Sequence, residues 1–474
     1  MENTRETLGS RLGFLLLSAG CAIGIGNVWR FPWLAGQYGG AWFVLFYLAF
    51  LVLLGLPVMT MEFGVGRAAQ RSPMLMYRRL ERPGSRWHWH GAVCFAGCAL
   101  LMMYYTTVAG WMLSYMYRCA TGAFAGMDAE GIGAAFGAFL ENPAAQVGPM
   151  ALVVAAGFAV CAAGLRGGLE RVTKWMMLAL LALMLVLAAH NVTLDHTAET
   201  VAADGTRIVT GAMDGVRYFL VPDAASVAAH GGWLRVLVEA MNQAFFTLSL
   251  GVGSMAIFGS YIGRDRALAG ESLRVTLLDT VVALCAGLIV IPACFAHNVE
   301  PGAGPGLLFV TLPNVFSAMP AGRFWGALFF VFMSFAAFST VLAVFENILA
   351  CVRDLTGWSR PRAALACGAA VLVLSVPCAL GWSLLADIHP LGGESTFLDA
   401  EDFLVSTLIL PSGAFVYTLF CCHRFGWGWD AFLAEANAGR GLRLPAFLRP
   451  YCAYVLPLVV LAVFLLGLHA FFFP

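Results

Sequence analysis

Two stretches decide the fold: Gly20-Cys21-Ala22-Ile23-Gly24-Ile25-Gly26-Asn27 and Phe246-Thr247-Leu248-Ser249-Leu250-Gly251-Val252-Gly253. Each lies within a long apolar run, where glycine costs a helix interior roughly 1 kcal/mol per residue. Close packing of helices through small residues accounts for Gly24 and Gly26 taken alone. It does not account for Asn27, or for Thr247 and Ser249, beside them. Both features follow if the two helices unwind here, because irregular backbone is tolerated at membrane depth only where it lines a cavity or is buried in protein. The freed carbonyls then suit a hard cation, and the half-helix N-termini suit an anionic group.

The rest of the chain supplies the membrane. Of 474 residues, 60% are hydrophobic and 11% charged, against roughly 25% charged in soluble domains. Mean hydropathy is +0.81. A string of soluble domains is excluded, and so is a disordered or nucleic-acid-binding chain, since 27 basic residues balance 27 acidic ones with no basic run. Apolar windows of about 18 residues or more recur near 11–36, 41–66, 88–120, 147–164, 172–190, 232–258, 271–296, 323–352, 363–385, 398–423 and 450–472. They predict eleven transmembrane helices in one transporter domain, with longer loops at 121–146, 191–231 and 297–322. The breaks fall in the first and sixth helices, at matching places if spans one to five (about 11–190) and six to ten (about 232–423) are repeats, with an eleventh helix over about 450–472. Paired breaks of this kind point to a secondary transporter.

Basic residues set the direction. With the N-terminus cytoplasmic, 21 of the 27 fall on the cytoplasmic side, and only Arg30, Arg118, Arg207, Arg217, Arg235 and Arg323 on the other. Eleven spans then leave the C-terminus outside. The 13 cysteines are scattered through apolar stretches. They read as buried small hydrophobes rather than as a zinc site or disulfide framework, which need clustered thiolates. Leu15 to Cys21 faintly resembles a lipoprotein signal, but the run continues directly into the first break and reads as a retained helix.

These residues match a known family. Ser10-Arg11-Leu12-Gly13-Phe14 and Gly24-Ile25-Gly26-Asn27-Val28-Trp29-Arg30-Phe31-Pro32 resemble the opening signature of neurotransmitter:sodium symporters. Gly39-Gly40, Gly55-Leu56-Pro57, Glu62, Gly66-Arg67, the stretch from Gln243 to Gly251, and Phe335 to Thr340 extend the resemblance over nearly the whole chain. It implies a LeuT-type fold, all-α, of two inverted five-helix repeats with helices 1 and 6 broken. It further implies Na⁺-coupled import of small amines or amino acids. Members commonly have twelve helices; a chain of eleven is similar to some bacterial relatives and implies a bacterial inner membrane.

The resemblance also distributes roles. One Na⁺ site falls on Ala22, Asn27, Thr247 and Asp279 together with the substrate carboxylate, and a second on Gly20, Ile23, Ala336, Ser339 and Thr340. All are oxygen donors of the kind a hard cation takes. Taken by itself, an acid at the position of Asp279 costs about 2.5–3.5 kcal/mol at the bilayer centre, which marks it as functional or as half of an ion pair. Chloride-dependent relatives carry Asn there and Ser one turn later, where this chain has Asp279 and Ala283; a fixed carboxylate in place of Cl⁻ implies chloride-independent transport. Monoamine carriers carry Asp at the position of Gly24, so its absence implies a zwitterionic amino acid, with the Tyr105 hydroxyl on the substrate carboxylate. Ala22, Gly24, Thr247 and Ser249 would surround the backbone groups. Cys21, Leu101, Phe246, Val252, Phe338, Thr340 and Val344 would form a mostly apolar side-chain pocket, suited to a hydrophobic neutral L-amino acid.

Arg30 and Asp402 resemble the outer latch, with Phe246 as lid, and Arg5 and Asp354 the inner latch, beside Ser260 and Tyr261. Two positions depart from the family. Leu8 stands where a Trp is frequent, and Leu178 stands where a Pro often follows the glycine at Gly168 to assist inward opening. The expected ligands are two Na⁺, the amino acid and membrane lipid, with no organic cofactor, nucleic acid or obligatory protein partner. The rival readings are a carrier of another zwitterion (glycine, GABA or betaine type) and a non-transporting amino-acid sensor. An enzyme is disfavoured, because His88, His90, His297 and His389 form no catalytic or metal constellation.

Overall fold

The computed structural model describes residues 5–201, 207–299 and 305–472. Among them, nine helices are long and apolar enough to cross a membrane. In the order expected from sequence these are the second to fifth spans (Ala41–Ala69, His88–Thr121, Pro143–Ala162, Leu165–Val192), the seventh to tenth (Leu268–Ala296, Gly322–Thr356, Arg360–Ala379, Phe397–Cys422) and the eleventh (Ala446–His469). The first span is the bent pair Arg11–Ala22 and Gly26–Gln37, which meet at 56°. Where the sixth is expected, the structure has two helices, Gly232–Thr247 and Ser254–Gly259, each too short to cross alone.

Local signals move several boundaries from their expected places. The fourth span begins at Pro143 instead of 147 because the Asn142 side chain accepts hydrogen bonds from Ala144 and Ala145 N–H, the arrangement of an N-cap with proline in the first turn. The ninth begins at Arg360, with a proline next to it, and ends at Ala379 rather than 385. The loops are less bare than hydropathy implies. Thr197–Val201 and Arg207–Gly211 pair as an antiparallel hairpin, Thr197 opposite Gly211, so the fold is helical with one small strand pair. Short helices occupy Ala129–Leu140, Ala212–Leu220, Ala224–Ala229, Leu307–Ala318 and Trp429–Ala436. The expected loops 191–231 and 297–322 include 202–206 and 300–304, which lie outside the described residues.

Burial ranks the spans from centre to rim. The eighth is 78% buried over its apolar window, whereas the fifth and eleventh are 33% buried. The third and eighth spans pack along one another, and the first rests on the fifth, seventh and eighth. Both breaks therefore sit in the middle of the bundle. Twelve of the thirteen cysteines are buried, as expected of small apolar side chains.

Candidate substrate and sodium sites

The first break is short. Helix Arg11–Ala22 stops where Ile23 turns to an extended conformation, and helix resumes at Gly26. In the second, Ser249 takes φ +50°, Gly251 +107° and Gly253 +74°. Glycine is required at 251 on two counts. Its backbone is left-handed, and a Cβ there would lie 2.1 Å from the Leu410 carbonyl oxygen. The buried Glu62 carboxylate holds this unwound backbone, accepting from Gly251 N–H at 2.5 Å and Met255 N–H at 3.2 Å. That is a carboxylate satisfied by the open end of a half-helix.

Opposite the break, Asp279 is fully buried in the seventh span. Its Oδ1 accepts from Asn27 Nδ2 at 2.8 Å and its Oδ2 from Thr247 Oγ1 at 2.9 Å, while Asn27 Nδ2 also reaches Thr247 Oγ1 at 3.1 Å. Among the described residues no arginine, lysine or histidine pairs with this carboxylate. A buried charge needs a partner, and a carboxylate beside a hydroxyl and a side-chain amide fits a hard monovalent cation, with Ala22 in the wall of the neighbouring cavity. Asn27 Oδ1 accepts from Gly24 N–H at 3.1 Å; presenting that oxygen to a cation takes a half-turn of the amide.

The second expected set also converges. Thr340 Oγ1 donates to the carbonyls of Gly20 and Ile23, both at 3.2 Å, and Ser339 Oγ donates to Ala336 O at 2.9 Å. Three carbonyls from two spans thus face two hydroxyls, all in the buried core, a donor set that again fits Na⁺.

Between these sets lies a cavity of about 410 Å³ lined by Cys21, Ala22, Gly24, Leu101, Tyr105, Phe246, Thr247, Ser249 and Thr340. Tyr105 OH accepts from Ile25 N–H at 3.2 Å, and a Cβ on Gly24 would stand 2.8 Å from that hydroxyl. Three expected pocket residues are not in the lining. Val252 packs behind it, with its carbonyl accepting from the Cys98 thiol. Phe338 and Val344 lie on the eighth span away from the cavity wall, Val344 fully buried. The wall adds Tyr104, Val108, Val405 and Ser406, which the sequence reading did not single out. The spacing of Asp402 and Ser406 was a usable signal, because residues four apart on a helix meet.

The profile of the Sodium:neurotransmitter symporter family matches residues 5–129 and 139–472. The chain belongs to this family. An uncharacterised sodium-dependent transporter of Bacillus subtilis, YhdH, is 32% identical over 460 residues, covering 96% of each chain. A second uncharacterised sodium-dependent transporter, from Haemophilus influenzae, is 26% identical over 98% of each. Among solved structures, MhsT in complex with L-phenylalanine superposes with a TM-score of 0.83 at 34% identity, over 97% of this chain and 99% of that one. The protein is a Na⁺-coupled, multi-pass membrane symporter with the LeuT fold, and not an enzyme.

In this symporter the two expected latches are in opposite conditions. Arg5 Nη1 lies 3.2 Å from Asp354 Oδ1, Arg5 Nε donates to Ser260 Oγ at 3.2 Å, and the guanidinium sits 4.8 Å above the Tyr261 ring. Tyr261 OH in turn donates to the buried Glu346 at 2.7 Å. The neighbours of Arg5 are held as well. Glu6 pairs with Arg353 at 2.7 Å, Thr7 accepts from Arg166, Leu8 N–H donates to Tyr261 O, and Arg11 pairs with Glu271 at 2.8 Å. Burial opposes ionisation of Glu6, but the Arg353 hydrogen bond and the charges of Arg360 and Arg353 outweigh it and hold its carboxyl below the usual range. At the other end Arg30 lies 5.1 Å over the Phe246 ring, and no ion pair joins it to Asp402 among the described residues. Arg5 and Asp354 are thus paired, and Arg30 and Asp402 are not.

Proposed function

We propose that this symporter imports hydrophobic neutral L-amino acids together with two Na⁺ ions and does not require chloride. The observation that carries the reading is Asp279, a buried carboxylate bonded to Asn27 and Thr247, both of which line the central cavity, and paired with no cationic side chain among the described residues. A Na⁺ there would be shared with the substrate carboxylate, which makes coupling obligatory. The same fixed charge does the work that a bound Cl⁻ would do.

Gly24 supports a zwitterion over an amine. The space an aspartate would need is taken by the Tyr105 hydroxyl, which can turn its proton to a carboxylate. Cys21, Leu101 and Phe246 give the side-chain end an apolar lining. The L-phenylalanine held by the similar MhsT points the same way. The second Na⁺ would use Gly20, Ile23, Ala336, Ser339 and Thr340. Two cations and a zwitterion bring a charge of +2, of which Asp279 offsets one. Closure of Arg30 and Phe246 over the cavity towards Asp402, followed by release of Arg5 from Asp354, would then pass the load across. In this reading one transporter unit of two repeats sits in a bacterial inner membrane, N-terminus cytoplasmic and C-terminus outside, and needs no protein partner.

Uptake of radiolabelled amino acids into proteoliposomes tests it. Accumulation of leucine, phenylalanine or a similar substrate is expected with NaCl or sodium gluconate outside and not with choline chloride. Equal uptake in choline, or a strict need for Cl⁻, would overturn it.

A further inference from the structure

The fifth span starts irregularly. Gly164 turns the chain at φ +105°, Leu165–Glu170 form a π-helical turn, and α-helix runs only from Arg171 to Val192, with no proline inside. It is one of five π turns among the described residues, and what sets it apart is what its side chains reach. Here the π turn is the one place where this span can rewind without breaking its interior.

Both ends of the turn grip the start of the first span. Arg166 donates to the Thr7 carbonyl and hydroxyl, each at 2.7 Å. Glu170, the last residue of the turn, is buried; its Oε2 accepts from Gly9 N–H at 2.7 Å and its Oε1 from Ser10 Oγ at 2.7 Å. Ser10 Oγ in turn accepts from Gly13 N–H at 3.0 Å and so caps helix Arg11–Ala22. The carboxylate fills the space beside Gly13, where a Cβ would stand 2.1 Å from Glu170 Oε1. No arginine or lysine forms an ion pair with Glu170 among the described residues. Its counter-charge is the positive end of the first helix, which has no acidic residue in its own first turn.

We propose that Glu170 is a positioning residue for the inward release step: carried on the π turn, its carboxylate holds the lower half of the first span closed, and rewinding of that turn withdraws it. The half-helix so freed is the one whose Gly20 and Ile23 carbonyls face Thr340. A buried carboxylate without a cation is tolerated only while its hydrogen bonds are made. Detachment from the first span therefore requires water to reach it, so opening and hydration are one event. The direction of release rests on the reading given under Proposed function; the coupling itself does not.

Hydrogen–deuterium exchange on the full-length protein in nanodiscs, in NaCl without amino acid, tests the coupling independently of substrate. Glu170→Gln keeps size and an acceptor but loses the charge, and Gly13→Ala pushes the carboxylate aside. Both are expected to raise exchange over residues 9–22 about tenfold, the effect of losing one charge-assisted hydrogen bond, while the third and eighth spans stay protected. Glu170→Asp, which keeps the charge on a shorter arm, should fall between. Wild-type exchange over 9–22 in both variants would overturn the proposal. So would a uniform rise across every span, which would mark Glu170 as a general structural cap. If Glu170→Gln does not accumulate, Gly13→Ala decides by the same comparison.

Discussion

Tyr104 donates a 2.9 Å hydrogen bond to Asp402 Oδ1, the carboxylate expected to close on Arg30. Ser406 donates to the same oxygen at 2.7 Å. Asp402 is thus engaged from the third span and from its own helix, while Arg30 rests on the Phe246 ring. Closing the outer side means exchanging one partner for another, and Tyr104 is the competitor.

Tyr104→Phe is therefore expected to favour the closed outer side. Loss of one hydrogen bond to a charged group, about 1.5–3 kcal/mol, should tighten equilibrium amino-acid binding by roughly tenfold to a hundredfold and slow turnover, because the outer side reopens less readily. Scintillation-proximity binding alongside uptake separates the two effects; weaker binding in the variant would contradict the exchange.

Asp279→Asn removes the charge but keeps the shape. The Na⁺ dependence of uptake should weaken by at least about tenfold, as loss of about 1.5–3 kcal/mol implies. Adding Ala283→Ser to that variant should make transport respond to Cl⁻, with uptake in NaCl exceeding that in sodium gluconate. A double variant indifferent to Cl⁻ would detach Asp279 from the anion question.

At the second cation set, Thr340→Val keeps the side-chain volume and deletes the hydroxyl that meets Gly20 and Ile23. Stabilisation of the protein by Na⁺, read as the rise in melting temperature between KCl and NaCl, should shrink by at least half. The melting temperature in KCl alone should stay within a few degrees of wild type. An unchanged Na⁺ response would remove Thr340 from the cation set.

His297 lies just beyond the seventh span, its ring stacked on that of His196 at 4.7 Å. Burial, helped by the His196 charge, lowers its pKa from 6.5 to about 4. The folded state then binds the proton less readily than the unfolded chain, so stability is complete above about pH 6.5 and falls as pH drops towards 4. The full gap corresponds to ~3 kcal/mol, and solvent reaching this half-exposed ring reduces it to about 1–2 kcal/mol. His297→Gln should flatten the decline of melting temperature across that window.

What was legible in the sequence was whatever breaks an apolar pattern. Glycines with Asn27, or with Thr247 and Ser249, have no reason to sit in a featureless span, and neither has Asp279. These are also the residues that converge in the bundle. The π turn at Leu165–Glu170 was not legible, because one added residue per turn leaves hydropathy unchanged. Glu170 gives no signal in the sequence, since its partners Gly9 and Ser10 are about 160 residues away. Phe338 illustrates a different limit. Two residues from Thr340 on a helix is a rotation of about 200°, so the two cannot share a wall, whereas Val344, one turn along, shares the face but sits at another depth. The hairpin at 197–211 was lost between two spans, although Ile208-Val209-Thr210 has the β-branched composition of a strand.

Residues 5 to 11 are fastened one after another to the fifth, sixth, seventh, eighth and ninth spans, through Arg166 and Glu170, Ser260 and Tyr261, Glu271, Arg353 and Asp354, and Arg360. Each tie alone is of the size thermal motion breaks readily, but they share one short strip of backbone and have to let go together. The strip behaves as a zip fastener with a steep thermal threshold. Turnover should fall much faster on cooling than the affinity for substrate does.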